Sequence, residues 1–206
     1  MVRAFAQCIF WSIAFLAVQG CASRGGRIYL ESTTNHRFFT QAFNQAYVTD
    51  SGSGEYDIVL VESPGELPPK RPKNRPLVPM PLAPLRQVMH IHVYWHAPTG
   101  IKDNPAAVNA SIDWYILGAG GGGDLVLYEG AGFVLVDSEG ERRDVEIKDG
   151  ELRAKLLRGN IVDPLGHARF YGSATVRMND ARVKDTLAQM REQIRQEDPQ
   201  AGTTQP

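Results

Sequence analysis

The residue types best suited to chemistry in this chain are its histidines, two of which stand in the run Val88-Met89-His90-Ile91-His92-Val93. Residues two apart on a strand project the same way, so His90 and His92 share a face, roughly 6.6 Å apart at about 3.3 Å per residue. Two imidazoles at that spacing can converge on one cation, and nitrogen-rich ligation suits zinc or copper. His96 lies four residues beyond His92, roughly 13 Å at the same rise, too far to share that ion. A third ligand must then come from a neighbouring strand, and Asp113 and His167 are the candidates. Ser111, near Asp113, would suit acyl transfer if these strands pair, but the chain contains no Gly-x-Ser-x-Gly elbow. No pair of carboxylates stands out for glycoside hydrolysis either. No catalytic residue is assigned, and the reading favours a binding or scaffolding domain over an enzyme. A metal-binding or metal-dependent hydrolytic domain centred on His90 and His92 is the alternative.

These side chains must be held by strands. From Gln87 to His96 the chain alternates: Met89, Ile91, Val93 and Trp95 on one face, His90, His92, Tyr94 and His96 on the other. A period of two marks a strand with one buried and one polar face. Ala110 to Ile116 repeats the pattern, with Ser111, Asp113 and Tyr115 on its polar side. Further strands are expected at Arg27–Glu31, Tyr56–Val61, Leu125–Tyr128, Phe133–Val136, Asp144–Ile147, Leu152–Leu157 and His167–Arg177, with Asp149-Gly150 as a hairpin turn. Glycines 130 and 132 inside a strand pattern point to a bulge or sharp bend. Two helices are expected. The first spans Asn35–Val48 on a stripe of Phe38, Phe39, Ala42, Phe43, Ala46 and Tyr47, making a strand–helix–strand start that favours a parallel crossover. The second spans Asp180–Arg195 on Val183, Leu187, Met190 and Ile194.

The fold predicted is therefore α+β: a mostly antiparallel sheet or sandwich of seven to nine strands with an N-terminal and a C-terminal helix. Its core is expected to hold Ile91, Val93, Trp95, Ile112, Trp114, Leu127, Phe133 and Leu135. One α+β domain would cover residues 27–195, ahead of a polar tail from residue 196. Residues 64–84 carry eight of the thirteen prolines together with Lys70, Arg71, Lys73 and Arg75. That segment reads as a polyproline crossover, and its charge also suits docking to an envelope protein or anionic polymer. Gly118–Gly123 is a flexible turn that lacks the Gly-Lys-Ser/Thr ending of a phosphate loop.

The His90-x-His92 pair resembles that of the cupin family, where it sits in a small β-barrel metal site. The family's upstream glycine is absent, with Pro84 near its place, and Ala97-Pro98-Thr99-Gly100 stand where its downstream glutamate belongs. No cupin activity is carried over on that match.

The amino terminus is more specific. Arg3 precedes an apolar run from Ala4 to Val18, shorter than the roughly twenty residues of a spanning helix. Val18-Gln19-Gly20-Cys21 follows, which resembles the lipobox of bacterial lipoproteins. The resemblance implies cleavage after a signal peptide of residues 1–20, diacylglycerol on the Cys21 thiol, and a short tether over residues 21–26. Ala22, where a retention signal would carry Asp, implies an outer-membrane anchor facing the periplasm. Without residues 1–20, Cys21 is the only cysteine, leaving no disulfide and no thiolate metal site. The loss of Arg3 leaves 21 basic against 23 acidic side chains, a net charge of −2. No nucleic-acid partner is expected of such a balance.

Overall fold

The computed structural model describes residues 25–63, 86–96, 108–117, 124–137, 140–158, 163 and 165–197. Among them are nine strands and one helix: β1 (Gly26–Ser32), β2 (Phe38–Ala42), β3 (Gln45–Asp50), β4 (Tyr56–Glu62), β5 (Gln87–Val93), β6 (Ala110–Leu117), β7 (Leu125–Val136), β8 (Arg142–Arg158), β9 (His167–Met178) and α1 (Asp180–Glu197). The expected signal peptide, Cys21, the proline-rich segment, the Gly118–Gly123 turn and the C-terminal tail lie outside the described residues.

The strands form one mixed sheet in the order β2-β1-β9-β3-β4-β5-β6-β7-β8, and β8 also pairs with β9. That last pairing closes the sheet, so β3 through β9 make a ring of seven strands. Strand β9 is the seam. One edge bonds β8 from His167 to Arg177, while the other bonds β1 from Ala168 to Ala174 and then β3 at Arg177 and Met178. The β3–β9 contact is parallel and every other pairing is antiparallel.

Alternation then sorts side chains to the inside or outside of the wall. Inside lie Ile28, Val48, Ile58, Ile91, Ile112 and Phe170, none more than 1% exposed. A ring this small is filled by its own side chains. Tyr128, the largest fully buried residue, sends its hydroxyl to Asp163 Oδ1 at 2.6 Å. Burial first, and then the Asp163 carboxylate, raise its pKa well above the ordinary tyrosine range.

The N-terminal helix expected over Asn35–Val48 is replaced by β2 and β3, and the expected parallel crossover by antiparallel neighbours. The residues at the start of that expected helix make a turn instead. Asn35 N–H donates to Ser32 Oγ, Arg37 N–H donates to Asn35 Oδ1, and His36 adopts φ 53°. Asparagine and serine offer the backbone this alternative to a helix. The apolar stripe is split accordingly: Phe43 and Ala46 are buried, whereas Phe38 is 75% exposed. Ring closure needs a strand between β9 and β4, and that demand overrides the local period.

A second correction concerns Asp149-Gly150, which does not turn. β8 runs through it for 17 residues, with register shifts that leave Lys148 and Lys155 as bulged extras. The first bulge moves the inward residues from Val145 and Ile147 to Gly150 and Leu152. Gly150 is there for close packing, since a Cβ on it would stand 2.3 Å from the Phe170 ring.

Of the expected core, Ile91, Val93, Ile112 and Trp114 are inside the barrel, and Phe133 is buried. Trp95 lies past the end of β5 and is 41% exposed, with its ring tilted toward Phe133. Leu127 and Leu135 are half-buried because Val126, Tyr128, Val134 and Val136 face inward. Asn109 clamps this end of the barrel. Its amide donates to Val134 O and Trp95 O and accepts from Val134 N–H, and the residue is fully buried.

The C-terminal helix is where the sequence places it. Arg182 N–H donates to Asn179 Oδ1 as an N-cap, and Asn179 N–H donates to Val48 O. Met190, with Leu187 and Ile194, covers Val61, Val88, Leu117 and Leu125 on the outside of the wall.

Replacing Gly150 with Ala is expected to lower stability by about 1–3 kcal/mol, the usual cost of overpacking, measured by urea unfolding. Adding Phe170→Leu should recover part of that loss.

Candidate functional site

Outside the barrel, the wall of β4 to β7 has two halves. One is apolar and lies under α1; the other carries ionisable side chains and stands open beside it. Val88, His90 and His92 point outward from β5 in turn, so a single strand passes from beneath the helix into the polar half. The register with β4 sets Asp57 opposite His92 and Val59 opposite His90. On the other side, β6 sets Asp113 opposite His90 and Ser111 opposite His92.

The two imidazoles converge on Asp57. His90 Nε2 stands 2.8 Å from Asp57 Oδ1, and His92 Nδ1 stands 2.9 Å from the same oxygen. An ionised carboxylate only accepts, so both nitrogens donate, which leaves His90 Nδ1 and His92 Nε2 facing elsewhere. The hydrogen bond from His90 is the largest influence on Asp57; burial opposes it, the His92 bond adds to it, and the carboxyl is held down to about 2. The Tyr94 ring meets the His92 ring edge-on at 4.8 Å between centroids. The three side chains are 22%, 33% and 36% exposed for His90, His92 and Asp57, so solvent reaches the cluster.

The candidates from sequence separate here. His90 and His92 come together as the strand period predicts. Asp113 is the cross-strand neighbour of His90 but makes no hydrogen bond to it among the described residues. Its own neighbour on β7 is Glu129, which pairs with Lys155. Burial, and then that like charge, raise the Asp113 pKa. His167 is not brought to the pair. In the closed ring β3 and β4 intervene one way and β6, β7 and β8 the other, and its ring sits 3.4 Å from Glu151 instead. His96 turns its ring edge-on toward Tyr56.

Asp57 is the residue that sequence reasoning missed. It had a signal: a lone carboxylate in the otherwise apolar run Tyr56–Val61. A charge at an alternating position in such a strand belongs on the outer face and calls for a partner there. Among the described residues, no group of three or more His, Cys, Asp or Glu is arranged to hold a metal ion; the Asp57 oxygen itself occupies the point on which the two imidazoles converge. The cupin likeness also ends at the strand, since the pair faces out of this barrel and not into it.

A cleft of about 770 Å³ lies farther round the wall over Gly130, Gly132 and Gly150, with Glu129, Glu151, Arg153 and His167 at its sides. It stands apart from the Asp57 cluster. No known family model matches the chain, and no curated protein or solved structure is significantly similar to it. Function is therefore argued from the surface of the fold.

The depressed Asp57 pKa makes stability depend on pH. The unfolded carboxyl titrates near 3.9, and the folded one at about 2. The contribution is present above pH 4 or so and disappears as pH falls from there through about 2. Asp57→Asn is expected to cost about 1 kcal/mol at pH 6, a value reduced for the solvent exposure of the cluster. In urea unfolding across pH, the gap between wild type and variant should narrow from about pH 4 and close only below about pH 2.

Proposed function

We propose that this chain is a lipid-anchored lipoprotein of the bacterial cell envelope, whose barrel presents a non-catalytic binding or scaffolding surface to the periplasm. The observation that carries the reading is Val18-Gln19-Gly20-Cys21 directly after a short apolar run headed by Arg3. The Cys21 thiol takes diacylglycerol, cleavage before Cys21 frees an amino terminus for acylation, and several acyl chains at about 0.8 kcal/mol per buried methylene hold a protein stably on a bilayer. Among the described residues no helix is long and apolar enough to cross a membrane. Ala22 favours the outer membrane. β1 begins at Gly26, so only a few residues separate the acylated cysteine from the barrel.

The fold supports the binding half of this reading in one way. The described barrel is filled with side chains, which directs ligand contact to its outer wall. There the chain displays a stacked Tyr29–Tyr171 pair, with ring centroids 5.3 Å apart, and the open half of the wall beside α1. An envelope protein or a cell-wall polymer is the class of partner such a surface would meet.

Bacteria expressing the chain and fed an alkyne fatty acid should incorporate the label, and Cys21→Ser should abolish it while Cys8→Ser leaves it intact. Absence of label on the wild type, beside a labelled control lipoprotein, would overturn the anchor.

A further inference from the structure

We propose that Asp57, His90 and His92 form a binding site for one divalent transition-metal ion, zinc or copper, on the outer wall of the barrel. This goes beyond the envelope reading and does not depend on it.

Donor separation is the first argument. Ligand atoms sharing an ion at bond lengths of 2.0–2.2 Å stand about 3 Å apart in octahedral geometry and about 3.4 Å apart in tetrahedral geometry. Asp57 Oδ1 already stands 2.8 Å from His90 Nε2 and 2.9 Å from His92 Nδ1. Those are hydrogen-bond distances, within a few tenths of an ångström of the donor spacing that a shared ion requires. A rotation of the Asp57 carboxylate off the convergence point opens room for the cation, and the strand backbones need not move.

Support and charge come next. All three residues project from β4 and β5, which pair in register from Tyr56 to Glu62. Ligands on paired strands are held more closely than ligands on loops. Asp113 opposite His90, and Glu129 opposite Asp113, add negative charge along the same row. Two imidazoles and one carboxylate select zinc or copper over calcium and magnesium, which prefer all-oxygen shells. With the three side chains between 22% and 36% exposed, water can fill the remaining positions on the ion.

The protons balance. A neutral His90 moves its proton from Nε2 to Nδ1, and a neutral His92 from Nδ1 to Nε2, each through solvent and with no net release.

The full chain, purified in mild detergent and stripped with chelator, is titrated calorimetrically with zinc chloride or copper sulfate. Bound metal is then counted after dialysis. One equivalent is expected at this site. His90→Gln, His92→Gln and Asp57→Asn should each weaken its binding by at least about tenfold, the smallest effect seen even for a group that only orients a ligand. His167→Gln should leave it unchanged, and the thiols of Cys8 and Cys21 are common to every variant. Circular dichroism and melting report whether each variant folds. If a variant does not, the copper-loaded wild type decides the matter, because its electron paramagnetic resonance spectrum should show coupling to two imidazole nitrogens. Absence of binding by the wild type, wild-type affinity in all three variants, or a copper spectrum without nitrogen coupling would overturn the site. A chain that takes up no fatty acid would still give the same metal result, so the two readings fail separately.

Discussion

Strand β9 bears the double pairing on which the rest of the molecule depends. It satisfies backbone groups on both edges, with β8 along one side and β1 and then β3 along the other. Closing a sheet removes the exposed edges that an open sheet of the same strands would present. It also fixes an inside and an outside, so that one residue of slip on any strand would turn its whole apolar set toward water. The close approaches at Gly130, Gly150 and Gly172 belong to this constraint. A Cβ at Gly130 would meet Glu151 O at 1.7 Å, and one at Gly172 would meet Arg27 O at 2.4 Å. Where walls come this near, only glycine fits.

The described barrel interior is filled with side chains, and α1 divides the outer wall into two halves. The helix begins against β3, through Asn179 N–H on Val48 O and Thr49 Oγ–H on Asp180 Oδ1, and so its course over β4 and its neighbours is set by the same seam. What it covers is apolar. What it leaves uncovered holds Asp57, His90, His92, Asp113 and Glu129. The polar row therefore sits beside a fixed helix on paired strands, an arrangement that holds side chains in place without burying them. Exposed pairs of this kind contribute little to stability, so stability alone does not account for two histidines aimed at one carboxylate oxygen.

Much of this was legible in the residues. The period of two from Gln87 to Val93 and from Ala110 to Ile116 placed His90 and His92 on one outward face and Ile91, Val93, Ile112 and Trp114 in the core. The stripe of Val183, Leu187, Met190 and Ile194 marked the C-terminal helix. In each case the local pattern and the tertiary demand agree, because the stripe that favours the element is also the surface the fold buries.

Other features were decided only by the closed sheet. Phe38 to Tyr47 has a helical apolar period, yet β9 needs a strand at its free edge, and long-range pairing outweighs a local preference worth tenths of a kcal/mol per residue. In Leu125-Val126-Leu127-Tyr128 both faces are apolar, so alternation cannot choose the inward one; the register that sets Trp114 against Tyr128 chooses it. Asp149-Gly150 reads as a turn by composition and is held extended by partners on both sides. Asp57 reached His90 and His92 for the same reason. Residues 33 and 35 positions apart become neighbours only when β4 and β5 pair in one register, which is fixed by the apolar faces that both strands bury inside the barrel.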